Sequence, residues 1–250
     1  MRRPLLPITV LLLLPGCAAF RGATAPDPTP EASAMPAAAE MPRAVHWIRN
    51  SAEHQAIFHQ TYRLAEWVLE AQVADLKVGT WAVAVDADET IIDNSLYEKE
   101  IAALGQSMTE GTWDDWVKRR EATALPGAVA FLERVHALGG RVAVVTNRRL
   151  HHCEATEDVL RTAGIPFDVV LCRGEDGEKE PRWETVELGN AAPGLPPLRI
   201  VMWLGDNIGD FPDLDQTIRL HGDTAFADFG TRFIVFPNPT YGSWEENPRD

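Results

Sequence analysis

Asp86 and Asp88 stand two residues apart in Val83-Ala84-Val85-Asp86-Ala87-Asp88-Glu89-Thr90, where an apolar β-branched run gives way to a polar turn. Two close carboxylates resist ionising together unless a cation sits between them or one keeps its proton. One of such a pair can be a nucleophile while the other gives and takes a proton, the division of labour that phosphoryl transfer requires. Three later segments supply complementary groups. Val142-Ala143-Val144-Val145-Thr146-Asn147 ends in a hydroxyl that can donate to a phosphoryl oxygen, and Lys179 offers a positive charge to the same group. Ile200-Val201-Met202-Trp203-Leu204 runs into Gly205-Asp206-Asn207-Ile208-Gly209-Asp210, whose carboxylates are the oxygen ligands a hard Mg2+ ion prefers.

Blander readings attach to some of these residues. The Thr146 hydroxyl can simply cap the following helix. Lys179 lies among Glu175, Asp176, Glu178 and Glu180, and such a charge run is usually a solvated surface. Trp113, Tyr97 and Tyr241 can fill a core, as aromatic residues usually do.

The elements that must position these groups alternate. Strand signals fall near 81–86, 141–146, 167–172 and 200–205, with a fifth at 232–236. Residues 51–76 carry a helical apolar period, and 126–138 and 153–163 read as helices closed by Gly139 and Gly164. This alternation predicts an α/β fold, a parallel sheet flanked by helices on both faces. Each strand-end residue then meets the others at the carboxyl edge, where open α/β sheets bind ligands. Residues 94–125 exceed a tight crossover and carry Trp113 and Trp116 on one helical face, which predicts a small helical cap over the site. Residues 51–76 either join that cap or pack beneath it.

With these segments in order, the sequence resembles the haloacid dehalogenase superfamily of phosphotransferases, and within it the class C bacterial acid phosphatases. Asp86-Ala87-Asp88-Glu89-Thr90-Ile91-Ile92-Asp93-Asn94-Ser95 is similar to the first signature of that family, and Gly205-Asp206-Asn207 through Asp210-Phe211 to its last. Gly111-Thr112-Trp113-Asp114-Asp115-Trp116-Val117, Val145-Thr146-Asn147-Arg148, Lys179 with Arg182, and Pro237-Asn238-Pro239-Thr240-Tyr241-Gly242-Ser243-Trp244 resemble further blocks. Ala87 and Leu96 depart from the family, which usually has a larger apolar residue and a proline there.

The resemblance implies a Rossmann-like core with a cap, and hydrolysis of small phosphate esters, including nucleoside monophosphates, through an aspartyl-phosphate on Asp86. Asp88 would be the general acid and base, with Thr146, Asn147 and Lys179 on the phosphate. Mg2+ would be held by Asp86, Asp88 and Asp206, with Asp210 and Asp93 orienting the loops. Trp113 and Tyr241 would stack on a leaving group. A binding lipoprotein on the same fold, taking haem or a nucleotide without catalysis, is the alternative, since fold does not fix function.

Residues 1–16 read as a signal peptide, with Arg2 and Arg3 ahead of an apolar run too short to span a bilayer. Leu14-Pro15-Gly16-Cys17 resembles a lipobox, which makes Cys17 the expected lipidation site and an outer-membrane lipoprotein the expected product. Without lipidation the protein would be secreted or periplasmic. Residues 17–42, rich in Ala, Pro, Thr and Glu, are expected to be a disordered tether, and 43–250 one domain. Losing residues 1–16 moves the formal net charge from -14 to -16, leaving 21 basic against 37 acidic residues. Such acidity speaks against a nucleic-acid polymer as partner. Whether a homodimer forms is left open. So is the pairing of Cys153 and Cys172, which should lie at one edge of the sheet. His151 and His152 read as a solvated helix start, with a soft-metal site as the sharper alternative.

Overall fold

The computed structural model describes residues 40–249. Within them β1 (Trp81–Val85), β4 (Arg141–Arg149), β5 (Val169–Arg173), β6 (Arg199–Gly205) and β7 (Phe233–Val235) form one sheet in the order β5-β4-β1-β6-β7, with every pairing parallel. All five residues of β1 are buried. That is why its run lacks the polar alternation of a strand with one wet face. From β1 the chain builds β4 and β5 on one side, then crosses to place β6 and β7 on the other. The carboxyl end of β1 is therefore the switch point of the topology, where the crevice of an open α/β sheet lies.

Alternate residues of β1 feed the two sides. Trp81, Val83 and Val85 pack with α2 (Ala52–Val73) and α5 (Ala128–Ala137), while Ala82 and Ala84 meet Trp183 and Val186 of α7 (Glu180–Glu187). Each such buried Val or Leu contributes about 1.5–3 kcal/mol relative to exposure. Residues 51–76 thus supply a core helix beneath the site. Phe58, Ala65 and Leu69 of α2 face the sheet, and Ser51 caps it by accepting from the His54 amide at 3.1 Å. The polar α7 and a short α1 (Arg43–Asn50) were not anticipated from sequence.

The insertion after β1 leaves and re-enters through a two-stranded ribbon, β2 (Ile92–Asp93) antiparallel to β3 (Thr123–Ala124). Between them lie α3 (Ser95–Ala103) and α4 (Glu110–Arg119). Their own small core of Tyr97, Ile101, Trp116 and Val117 is completed by Ala155 of α6 (Cys153–Thr162), so this is the expected cap, seated on the helix after β4. Cys153 and Cys172 form a disulfide joining the start of α6 to the end of β5. No helix among the described residues is long and apolar enough to cross a membrane. Cys17 and residues 1–39 lie outside the described residues.

Candidate active site

Asp86 follows the last residue of β1, and its amide donates to the Leu204 carbonyl of β6 at 2.9 Å. The chain then turns sharply. Glu89 takes a left-handed conformation at φ 53°, and Ile91 and Ile92 both donate to the Ala87 carbonyl at 3.0 Å. The turn brings Asp88 to the same mouth, a cavity of about 740 Å³ lined by Asp86, Asp88, Lys179, Asp206 and Asp210, with Trp113, Asn147 and Tyr241 on its walls.

Within this mouth the two aspartates are held differently. The Lys179 ammonium bonds to Asp86 Oδ1 and lies 2.6 Å from Asp210 Oδ1, with all three side chains buried. Lys179 sits at the start of α7 with its side chain turned inward, so the surrounding acidic run is solvated while this lysine is not. Burial would lower its pKa, but Asp210 and Asp86 outweigh that and hold it up at about 12. Burial drives Asp86 up to about 7, with Lys179 opposing and Asp210 and Asp88 adding to the rise. Asp206 is pushed well above the carboxylate range, first by burial and then by Asp210 and Asp86.

Asp88 faces the cap. Arg148 clasps its carboxylate, Nε at 3.0 and 3.1 Å from the two oxygens and Nη2 at 2.7 Å, and the Asn94 amide donates to Oδ1 at 2.8 Å. The Arg148 guanidinium also lies 5.4 Å from the centre of the Trp113 ring, whose other neighbour is the edge of Tyr97 at 5.3 Å. Arg148 and Asn94 were quoted within motifs but given no role. The usable signal for Arg148 was its place two residues past Thr146 at a strand end.

Three further expected residues are placed as follows. Thr146 is fully buried, its hydroxyl accepting from the Arg148 amide at 3.1 Å, and it does not cap the next helix. Asn147 lies at the mouth, its Oδ1 accepting from Arg182 at 2.7 Å. Asp93 sits off the cavity and accepts from the Ser95 amide at 2.7 Å, fixing the start of α3. The loop after β6 is fixed by Asp210 accepting from the Asn207 amide at 2.8 Å and by Asn238 donating to Asp206 at 2.8 Å.

One oxygen from each of Asp86, Asp206 and Asp210 lies within 4.8 Å of the others. Three carboxylates against one lysine leave excess negative charge, and the raised Asp86 and Asp206 reflect first the cost of burying it and then the mutual repulsion of the carboxylates. A hard divalent cation bound by oxygen ligands would remove that cost, so the residues present fit such an ion.

The chain matches known proteins over most of its length. Residues 16–244 match the family described as HAD superfamily, subfamily IIIB (Acid phosphatase). The structure is similar to that of the class C acid phosphatase from Bacillus anthracis, at 31% identity over 81% of this chain and 85% of that one, with a TM-score of 0.72. It matches the same enzyme with tungstate bound to the same extent. The chain belongs to the HAD subfamily IIIB acid phosphatases and is a phosphoric monoester hydrolase.

Proposed function

We propose that this phosphatase depends on Mg2+, works at the bacterial cell envelope through a lipid anchor at Cys17, and takes nucleoside monophosphates among its substrates. The observation that carries the catalytic part is the convergence of Asp86, Asp88, Lys179 and Asp206 on one cavity at the end of β1. Asp86 attacks phosphorus while Asp88 protonates the leaving alcohol, giving an aspartyl-phosphate. Asp88, now basic, takes a proton from the water that hydrolyses it. Lys179, Thr146 and Asn147 meet the charge on the phosphoryl oxygens. Mg2+ held by the Asp86 and Asp206 carboxylates and the Asp88 carbonyl would offset the repulsion between nucleophile and substrate.

The nucleotide reading rests on Trp113 and Tyr241, both half-buried and both on the cavity wall, where an aromatic base can stack. A panel of phosphate esters assayed before and after exhaustive chelation tests it. Nucleoside monophosphates should have higher kcat/KM than ringless esters. Chelation should stop turnover and Mg2+ restore it. Full activity without the cation would remove Mg2+ from the scheme, and equal kcat/KM for ringed and ringless esters would remove the nucleotide preference.

A further inference from the structure

A second group of ligating side chains lies away from the phosphate site, on the seam between cap and core. Asp114 projects from α4, and His151 and His152 from the single 3-10 turn Leu150–His152 that follows β4. One ligand atom from each lies within 4.8 Å of the others. His151 Nε2 is 3.5 Å from Asp114 Oδ1, and the two imidazole centres are 4.0 Å apart. Ligands bound ~2.0–2.2 Å from a tetrahedral zinc stand roughly 3.3–3.6 Å from one another, a spacing the His151–Asp114 pair already has and the His152–Asp114 pair, at 2.8 Å, would reach by a small rotation of Asp114.

His152 supplies the independent observation. It is 2% exposed, yet its Nδ1 has no hydrogen-bond partner among the described residues. Its Nε2 lies 2.8 Å from Asp114 Oδ1, which ties the buried ring to the cap helix. A buried ring nitrogen left unpaired is costly unless something else takes its lone pair. Asp114 and His151 are partly exposed, leaving a side open for a water ligand.

We propose that Asp114, His151 and His152 bind a zinc-class divalent cation that fastens the cap helix α4 to the core. Two imidazoles and a carboxylate suit Zn2+, whereas the all-oxygen cluster of Asp86, Asp206 and Asp210 suits a harder ion, so the two sites differ in chemical class. The Arg149–Glu110 ion pair crosses the same seam, and Trp113 adjoins Asp114, so the ion would brace the cavity wall.

Zn2+ titrated calorimetrically into the full-length protein saturated with Mg2+ tests the site. One equivalent should bind and raise the melting temperature, and Co2+ in its place should give a visible absorption band. His151→Ala and Asp114→Asn alter partly exposed side chains, so their circular dichroism should be parental while Zn2+ affinity falls at least roughly tenfold, the loss expected even from disturbing a ligand's partner. Asp206→Asn should keep the equivalent. Parental affinity in either seam variant, no equivalent bound by the parent, or loss of the equivalent in Asp206→Asn would each overturn the proposal.

Discussion

Asn94 uses its whole hydrogen-bonding capacity. Its amide donates to Asp88 at 2.8 Å and to Glu89 at 3.1 Å, and its carbonyl accepts from Trp116 at 2.8 Å and from Arg148 at 3.2 Å. Asn94→Asp would remove both donations and set a carboxylate against two others. The expected loss is about 1–3 kcal/mol of stability, seen as a lower melting temperature, together with a drop in kcat larger than any change in KM. Asp86→Asn keeps shape but cannot attack phosphorus, so turnover should vanish with the fold retained; near-parental activity in the purified variant would refute the mechanism. Trp113→Ala or Tyr241→Ala should weaken a nucleoside monophosphate by ~1–3 kcal/mol, the typical worth of base–aromatic stacking, and leave a ringless ester little affected. Equal losses for both substrates with reduced melting temperature would return these rings to a packing role. The site's carboxylates were legible from their spacing at and just past strand ends, and Lys179 from its spacing to Arg182 in a segment resembling a family motif. Asn94 and Arg148 were not, because what makes them matter is burial between cap and core, a property of packing that residue type does not carry.

Among the elements, the strands were readable because burial on both faces writes a continuous apolar run, as in Trp81–Val85. Helix α2 was readable as a helix but not by location, since an apolar stripe names no partner; packing with β6 and α5 places it under the sheet. Helix α7 escaped because Glu180–Glu187 is mostly polar and buries only Trp183 and Val186. The loop after β6 has a tighter requirement. A Cβ on Gly205 would lie 2.2 Å from the Asp210 Cβ and from one of its carboxylate oxygens. Gly205→Ala must therefore push away the residue that holds Lys179. Overpacking of this kind costs about 1–3 kcal/mol, and kcat should fall with stability; an alanine variant with parental kcat and melting temperature would show that the loop yields freely.

At the scale of the molecule, a strongly acidic chain meets an anionic substrate with two buried cations, Lys179 and Arg148, set among the carboxylates of one cavity. The Cys153–Cys172 bridge bears on that place indirectly. It closes a loop across a sequence separation of 19 residues, for which chain entropy suggests about 3 kcal/mol, so replacing both cysteines by serine should lower the denaturation midpoint accordingly. An unchanged midpoint would mean that the reduced chain is already as constrained. The bridge also joins the segment beyond Thr146, Asn147 and Arg148 to the strand that leads towards Lys179. Two arms of the cavity are thus one covalent frame, assembled only where thiols are oxidised. The protein's redox history then becomes part of its enzymology: material made in a reducing cytosol, or stored with a thiol reagent, carries a looser frame than the oxidised chain, and kinetic constants from the two preparations would describe different molecules of identical sequence.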